Sequence, residues 1–259
     1  MPYAVSRRKN KPVKIYYEDI GDSGLPVLVM QHGDGNESQN WKSLGYVELL
    51  QKHCRLILID YLGYGRSEKS YDPNDYAMPL LAADTIAVLQ QLKISTPVFF
   101  FGGSMGGRVG YELATTPEYA SHFKAFIING MGSSTLDIVV EFSKWTQSGG
   151  MPYVVEQMEN FMTEPFPIEV KETFLRNDPK AYDAANRNPW PSITDRLADI
   201  DKPVLLICGE KADELKDMKA SAALIRNAKL KILLGLDHAQ AYWYGPRVAP
   251  LIKAFVENT

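Results

Sequence analysis

Ser104 is the residue of this sequence whose surroundings best suit covalent chemistry. It lies in the segment 102–107, GGSMGG, after the apolar run Val98–Phe101 and before residues with helical spacing. Glycines on both sides permit the tight, strained turn that lifts a serine hydroxyl out of a sheet. The N–H groups that begin the next helix would stabilise negative charge beside that hydroxyl. The pattern predicts a nucleophilic serine on a strand-to-helix turn.

Glycine-rich segments around a serine also form phosphate-binding loops or plain tight turns. A phosphate-binding loop ends in Lys followed by Ser or Thr, whereas Arg108 follows the glycines here. The position of the segment between a strand and a helix therefore favours the nucleophile.

A serine hydroxyl needs a base near neutral pH, and the chain has four histidines. His53 precedes a predicted strand and His122 lies in a polar segment, positions typical of surface or structural histidines. His32 and His238 each follow a predicted strand, and the carboxyl ends of parallel strands are where active sites form. We expect His238, in the loop after the last strand, to be the base and His32 to support loop geometry.

A third residue, an acid, would fix the tautomer of that imidazole and stabilise its charged form. Several acids follow the strand that precedes the last one. Asp213 is the predicted acid, and Glu210 and Asp217 are the alternatives. Asp237 adjoins His238, but neighbouring side chains diverge and rarely meet, so it is disfavoured.

These residues need a sheet that brings them to one edge. Short apolar runs alternate with segments of helical spacing, as expected for parallel strands covered by helices on both faces. The sequence therefore predicts an α/β fold with a mostly parallel, eight-stranded sheet and right-handed crossovers. The predicted strands are the hairpin Tyr3–Arg8 and Val13–Ile20, then Val27–Gln31, Leu56–Asp60, Val98–Phe101, Ala125–Asn129, Val204–Cys208 and Lys231–Leu234.

Residues 133–195 separate two predicted strands by far more than a crossover needs. Their apolar residues recur at helical spacing, so we expect a small helical cap inserted into a core formed by residues 1–132 and 196–259. Aromatic side chains of the cap are expected to line part of an apolar substrate pocket, with core packing as the alternative for each of them. They are Phe142, Trp145, Phe161, Phe166 and Trp190.

Composition narrows the function classes. The 259 residues, 45% of them hydrophobic, suffice for one α/β domain, and a net charge of −3 argues against a nucleic-acid partner. A basic N-terminal cluster (Arg7, Arg8, Lys9 and Lys11) is expected to be a solvated turn. Residues 1–12 lack the apolar centre of a signal peptide, and no apolar run approaches the roughly 20 residues of a membrane span. We therefore expect a cytoplasmic protein that has no membrane partner.

The two cysteines, Cys54 and Cys208, flank apolar runs and are expected to be buried, reduced thiols. The sequence contains no cluster of cysteine and histidine with the spacing of metal ligands. It therefore predicts no metal site.

Five segments, taken in order, resemble the motifs of the α/β-hydrolase superfamily, within its group of small capped esterases, lactonases and carbon–carbon bond hydrolases. The resemblance covers nearly the whole chain, implies the α/β-hydrolase fold and includes the family order of serine, acid and histidine. The segments are His32-Gly33, residues 60–67 (DYLGYGRS), the turn around Ser104, Gly209 with Asp213, and Gly235 with His238.

This resemblance implies residue roles. Ser104 matches the nucleophile, His238 the base, and the backbone N–H groups of Met105 and Asp34 the two oxyanion donors. The chain departs from the family where the acid usually stands, since Ala212 occupies that position. It also departs at Asp34, where the family usually has an aromatic or aliphatic residue. A carboxylate there would oppose the developing negative charge unless its side chain turns away, or would favour a neutral or cationic substrate.

The sequence thus predicts a serine hydrolase that cleaves a small or medium ester or lactone through an acyl-enzyme, without a cofactor. One alternative is a carbon–carbon bond hydrolase of ring-cleavage products, which would need a basic pocket residue such as Arg108 or Arg187. A cofactor-free perhydrolase and a non-catalytic ligand receptor on the same scaffold are the others. The sequence does not predict an oligomeric state.

Overall fold

One sheet organises the computed structural model, which describes residues 2–9 and 11–259. Its eight strands lie in the order β1-β2-β4-β3-β5-β6-β7-β8; β1 and β2 run antiparallel at one end, and β4, β3, β5, β6, β7 and β8 are mutually parallel. The predicted α/β class and mostly parallel eight-stranded sheet are confirmed. The strands are β1 (Tyr3–Arg7), β2 (Pro12–Ile20), β3 (Val27–Gln31), β4 (Arg55–Ile59), β5 (Val98–Gly103), β6 (Phe123–Asn129), β7 (Val204–Gly209) and β8 (Ala228–Leu233).

Helices connect the parallel strands, as right-handed crossovers require. Two short 3₁₀ helices, Pro73–Tyr76 and Thr194–Asp199, accompany them. The helices are α1 (Asn40–Ser43), α2 (Tyr46–Leu50), α3 (Met78–Gln91), α4 (Met105–Thr115), α5 (Pro117–Ala120), α6 (Val139–Glu159), α7 (Ile168–Arg176), α8 (Pro179–Ala185), α9 (Leu215–Leu224), α10 (His238–Trp243) and α11 (Gly245–Glu257).

The central strands are buried on both faces, which explains why they read as unbroken apolar runs. Every residue of β5 and β7 is buried, and so are all but the first residue of β3 and of β4. Helices on either face hold these strands rigidly, so their carboxyl ends form a fixed edge on which side chains can be placed.

The edge strand β8 differs from its prediction. The apolar run suggested Lys231–Leu234, but the strand spans Ala228–Leu233, and Leu234 is 70% exposed. Most residues of β8 are at least partly exposed, so its sequence alternates lysines with apolar residues. It therefore lacks the continuous apolar run by which the buried strands were recognised.

The N-terminal basic cluster also differs from its prediction in one residue. Arg7 and Lys9 are exposed as expected, but Arg8 is only 6% exposed and forms a bidentate ion pair with Asp84 of α3. Cys54 and Cys208 are buried free thiols, as predicted.

Three helices, α6, α7 and α8, lie between β6 and β7, within residues 133–195. The chain kinks inside α6 at Gly150, whose backbone angles (φ 67°, ψ −164°) are not helical. Where this segment leaves and rejoins the sheet, Leu136 and Trp190 exchange two backbone hydrogen bonds of 2.9 and 3.1 Å. Arg108 of α4 donates to the carbonyls of Gly132 and Pro191 at the same place.

Candidate active site

Ser104 occupies the turn between β5 and α4. Its backbone angles (φ 51°, ψ −114°) are unusual for a residue with a side chain, and such strain costs on the order of 1–3 kcal/mol. The Ser104 N–H donates to the Asn129 carbonyl at 2.8 Å, which holds the turn against β6. A Cβ at Gly102 would lie 2.2 Å from the Gly106 carbonyl oxygen, so the turn requires glycine there.

His238 faces Ser104 from the other side of this edge. It begins α10, where the Asp237 side chain caps the helix by accepting from the Gln240 N–H at 2.8 Å. This N-terminal helix cap by Asp237 fixes the direction in which the His238 imidazole leaves the backbone. His238 Nε2 lies 3.2 Å from Ser104 Oγ, as the predicted pairing of these two residues requires.

Glu214, rather than the predicted Asp213, lies against the opposite nitrogen of the ring. Its Oε1 is 3.1 Å from His238 Nδ1, although the two atoms are not aligned as in a linear hydrogen bond. Poor alignment of this kind is common before substrate binds. Asp213 is exposed, so the choice of Asp213 as the residue in contact with the ring was wrong.

The error has a local cause. The turn after β7 buries Ala212, which sends the neighbouring Asp213 outward and turns Glu214 toward the ring. The extra methylene of a glutamate then gives the reach that an aspartate would lack. Sequence reasoning did not consider Glu214, and its position one residue beyond the chosen acid was the only signal.

The other acids near this edge have different partners. Glu210 accepts from the Gly235 N–H at 2.9 Å, and Asp217 accepts from the Ser134 N–H at 3.0 Å. Asp237, besides capping α10, accepts from the Thr163 N–H at 3.2 Å. These three carboxylates therefore hold turns and helix ends in place.

The electrostatic environment of His238 and Glu214 suits an acid–base role for the imidazole. Burial disfavours the charged imidazole, but the carboxylates of Glu214 and Asp237 more than offset it and raise the pKa of His238 above 6.5. Burial likewise opposes a charged Glu214, yet His238 lowers the pKa of that carboxyl below its usual range. The pair therefore favours an ionised glutamate beside an imidazole that gains a proton readily.

His32 is buried and neutral. Its Nδ1 lies 2.8 Å from the Gly33 carbonyl oxygen, and its Nε2 accepts from the Tyr61 N–H at 3.2 Å, so the proton is on Nδ1. Burial lowers the pKa of His32 to about 4. The ring braces the loop after β3 against the loop after β4, which is the structural role expected of it.

Two backbone N–H groups are free beside Ser104. Among residues 2–9 and 11–259, neither the Met105 N–H nor the Asp34 N–H has a hydrogen-bond acceptor. The loop that carries Asp34 lies against the serine, since a Cβ at Gly33 would be 3.2 Å from Ser104 Cβ. Tyr242, four residues after His238, accepts from the Gly33 N–H at 3.1 Å and helps to hold this loop. No pattern in the sequence indicates that contact.

The Asp34 side chain does not lie free beside the serine. It accepts hydrogen bonds from the hydroxyls of Tyr64 and Tyr182, the latter at 2.7 Å, and from Asn186 Nδ2 at 3.3 Å. Burial raises the pKa of Asp34, against the effect of these donors. The carboxylate is thus occupied by protein donors rather than presented to a cationic ligand.

The five predicted pocket aromatics do not form one group. Trp145 packs on Phe142 at 5.4 Å between ring centroids and stacks on Phe161 at 6.1 Å, and Phe161 is 77% exposed. Phe166 packs on Trp243 of α10 at 5.1 Å. Trp190 is buried and, together with Arg108, lines a cavity of about 310 Å³ to whose wall Ser104 and His238 do not contribute.

In the part of the chain that the structure describes, no helix is both long enough and apolar enough to cross a membrane.

Comparisons with known proteins agree with this architecture. The sequence profile of the family described as "alpha/beta hydrolase fold" matches residues 26–167. A Bacillus subtilis protein named "Putative 2-succinyl-6-hydroxy-2,4-cyclohexadiene-1-carboxylate synthase" is 26% identical over 219 residues, 76% of this chain and 78% of that protein.

Two solved structures are similar in fold. A thermophilic esterase from Thermogutta terrifontis superposes with a TM-score of 0.84 at 20% identity, over 99% of this chain and 97% of that one. The enol-lactonase from Burkholderia xenovorans LB400 gives a TM-score of 0.83 at 20% identity, over 95% and 97% of the two chains.

Proposed function

Because this chain belongs to the α/β-hydrolase fold family, we propose that it is a serine hydrolase that cleaves a small or medium ester or lactone through an acyl-enzyme. One observation carries the proposal: Ser104 Oγ lies 3.2 Å from His238 Nε2, and Glu214 lies 3.1 Å from His238 Nδ1. These side chains supply a nucleophile, a base and an orienting carboxylate. The similarity in fold to an esterase and an enol-lactonase supports the same reaction class.

The proposed reaction begins with attack of Ser104 Oγ on the substrate carbonyl carbon while His238 Nε2 takes the hydroxyl proton. The negative charge that develops on the carbonyl oxygen is stabilised by the N–H groups of Met105 and Asp34, which have no acceptor among the described residues. His238 then gives its proton to the leaving oxygen. Water, activated by the same ring, releases the acid and restores the serine.

We propose that residues 133–195 act as a cap on a core formed by residues 1–132 and 196–259; Met1 and Asn10 of that core lie outside the described residues. The contact of Thr163 with Asp237, next to His238, supports the placement of cap residues beside the site. The same contact supports Phe161 and Trp145 as the aromatics nearest the substrate.

Tight packing favours structural roles for Phe166 and Trp190, which are 6% and 5% exposed. Phe142, partly buried against Trp145, would support the substrate-facing pair from behind.

Carbon–carbon bond hydrolysis is less well supported. This reaction needs a cationic side chain in the pocket to bind the carboxylate of its substrate, and the two candidates in the sequence are Arg108 and Arg187. Arg108 instead donates to the carbonyls of Gly132 and Pro191, and Arg187 pairs with Asp183. Both guanidinium groups therefore have partners within the protein.

Reaction with a fluorophosphonate probe tests the proposed chemistry. The wild-type protein should be labelled covalently and should hydrolyse p-nitrophenyl acetate, and Ser104→Ala should lose both properties while keeping its thermal unfolding temperature. Ser148→Ala is the matched control, because Ser148 is exposed on α6 and donates only to the Lys144 carbonyl. A receptor without catalytic function would remain unlabelled. Residual activity near the wild-type level in Ser104→Ala would refute the assigned nucleophile.

A panel of p-nitrophenyl esters of rising acyl length, assayed beside simple lactones, would then define the substrate class. Perhydrolysis is separated by adding hydrogen peroxide and acetate and measuring peracetic acid. We also propose a cytoplasmic location, since two free buried cysteines suit a reducing compartment.

A further inference from the structure

The loop that follows β3 is held by the cap at several points. Residues 33–40, called here the oxyanion loop, contact residues 168–186, called here the cap arm. The cap arm comprises α7, α8, the two residues between them and the residue after α8. Asn177 Nδ2 donates to the Gly35 carbonyl at 2.7 Å, and a Cβ at Gly35 would lie 2.2 Å from the Phe174 ring. The cap arm therefore helps to hold the loop, together with core contacts such as that of the Gly33 N–H with Tyr242.

More polar contacts lie further along the same loop. Arg176 forms an ion pair with Glu37 at 2.9 Å, and Asn40 Nδ2 donates to Thr173 Oγ1 at 3.1 Å. The ion pair is partly exposed, and exposed ion pairs contribute little to stability. The contacts that bear on the active site are therefore those nearest its beginning, at Asp34.

Asp34 receives donors from both sides of the loop. Tyr64, which follows β4 in the core, donates to Oδ1, whereas Tyr182 and Asn186 of the cap arm donate to Oδ2 at 2.7 Å and Oδ1 at 3.3 Å. All three donors are at most 1% exposed. Burial raises the pKa of both tyrosines well above 10.0, so they keep the protons with which they donate. A carboxylate in such buried surroundings must keep its hydrogen-bond donors, so these three bonds strongly constrain the Asp34 side chain.

We propose that Asp34 is a positioning residue through which the cap arm holds the Asp34 N–H aimed at the oxyanion. The inference rests on the proposed hydrolase function. The carboxyl group is joined through Cβ to the same Cα as the backbone nitrogen, so anchoring the two carboxylate oxygens restricts rotation of the N–H. An oxyanion donor acts only if it is already oriented before the charge develops, and loss of one donor costs about 10²–10³-fold in kcat. The cap thereby contributes to catalysis as well as to the shape of the pocket.

A role in binding a cationic substrate is the alternative use of this carboxylate. Three protein donors already occupy it, and two of them are tyrosine hydroxyls that would each lose the acceptor they have in Asp34 if a ligand displaced them. Leaving a buried hydroxyl without an acceptor is energetically unfavourable. The contacts thus favour positioning over ligand binding.

A transition-state analogue separates the two roles. An aryl trifluoromethyl ketone adds to the serine: Ser104 Oγ forms a bond to the ketone carbon, His238 accepts the hydroxyl proton, and the ketone oxygen becomes an oxyanion in the proposed hole. Its inhibition constant reports the oxyanion donors directly, whereas KM for p-nitrophenyl acetate reports substrate binding.

The variants to be compared are Asp34→Asn and Tyr182→Phe, and the latter keeps the ring that packs on Tyr64 at 6.2 Å between ring centroids. Tyr71→Phe is the control, because exposed Tyr71 also donates to a cap-arm residue, Asp178, and among the described residues its hydroxyl has no hydrogen bond to the loop.

Tyr182→Phe should lower kcat about 10-fold and weaken the trifluoromethyl ketone by a similar factor, with KM within about 2-fold of wild type, because the donor is loosened rather than lost. Asp34→Asn should lose more, approaching the roughly 10²-fold of a missing donor. The pH at which activity falls should not move, since the environment of His238 is unchanged. Tyr71→Phe should match wild type.

The inference is overturned if Tyr182→Phe changes KM alone, leaves the ketone inhibition constant unchanged, or matches Tyr71→Phe. If Asp34→Asn does not fold, Tyr182→Phe decides the question by itself. Fluorophosphonate labelling keeps the two proposals apart: an unlabelled wild-type protein refutes the hydrolase function, whereas a labelled protein with an unaffected Tyr182→Phe variant refutes only the role of Asp34.

Discussion

Two neighbouring acids, Asp213 and Glu214, make a sharp comparison at the scale of single residues. Glu214 lies against His238 Nδ1 and Asp213 is exposed. We expect Glu214→Gln to lower kcat by several orders of magnitude, up to about 10⁴-fold, because an amide there favours the wrong tautomer of the ring. Asp213→Asn should stay within about 3-fold of wild type, because solvent and salt screen an exposed charge. Both variants are assayed on p-nitrophenyl acetate at one pH, and the opposite order of activities would restore Asp213 as the acid.

The pH dependence of kcat/KM tests the same contact between Glu214 and His238. His238 must be neutral to accept the serine proton, so kcat/KM should fall as pH drops through the pKa of His238. Glu214 and Asp237 raise that pKa above 6.5, which places the wild-type loss of activity above pH 6.5. Glu214→Gln removes the larger attraction, so the residual activity of this variant should persist to lower pH. A fall at the same pH in both proteins would mean that another group controls the profile.

At the scale of single residues, a position can be predicted from the sequence where the adjacent strand sets it, but not where contacts distant along the chain do. The juxtaposition of Ser104 and His238 could be predicted because each residue follows a strand and the sheet sets its position. Glu214 was missed because its turn directs Asp213 outward. The environment of Asp34 was out of reach for another reason, since Tyr182 lies 148 positions away along the chain. Local pattern carries no information about such partners.

At the scale of elements, continuous apolar runs predicted the buried strands well. The edge strand β8 was shifted, because exposed residues interrupt its apolar pattern. Helix α8 was not predicted: it has seven residues, which is too short for a periodic signal. Its start was nonetheless encoded, since Asp178 caps it by accepting from the Lys180 N–H at 2.9 Å and Pro179 follows.

The loop after α6 supports a prediction on substrate choice. Phe161 is 77% exposed and stacks on Trp145, two residues before the contact of Thr163 with Asp237. Phe161→Ala should lower kcat/KM for p-nitrophenyl octanoate at least about 5-fold more than for the acetate, because a buried methylene contributes about 0.8 kcal/mol. Ile168→Ala is the control, as Ile168 is also apolar and 63% exposed on the cap arm. Equal effects on long and short esters would assign Phe161 to packing instead.

At the scale of the whole molecule, a buried ion pair joins the N-terminal hairpin to helix α3. Arg8 donates to both carboxylate oxygens of Asp84 at 2.8 Å, and the two side chains are 1% and 0% exposed. Arg8 Nε also donates to the Asp75 carbonyl at 2.9 Å, so one guanidinium connects the hairpin with α3 and the 3₁₀ helix 73–76. The sequence suggested a solvated turn here because a run of basic residues is usually exposed, and only the fold brings Asp84 to Arg8.

Removing one partner of that pair should be far more damaging than removing both. Arg8→Leu leaves Asp84 as a buried, unpaired carboxylate, which costs about 3–5 kcal/mol of unfolding free energy. Arg8→Leu combined with Asp84→Leu should recover at least half of this loss, because desolvating the two charges offsets most of their attraction. Arg7→Leu, at an exposed neighbouring position, should change the unfolding free energy by less than about 0.5 kcal/mol. Urea unfolding of the four proteins measures these values, and an Arg8→Leu variant as stable as Arg7→Leu would show that the hairpin does not depend on the ion pair.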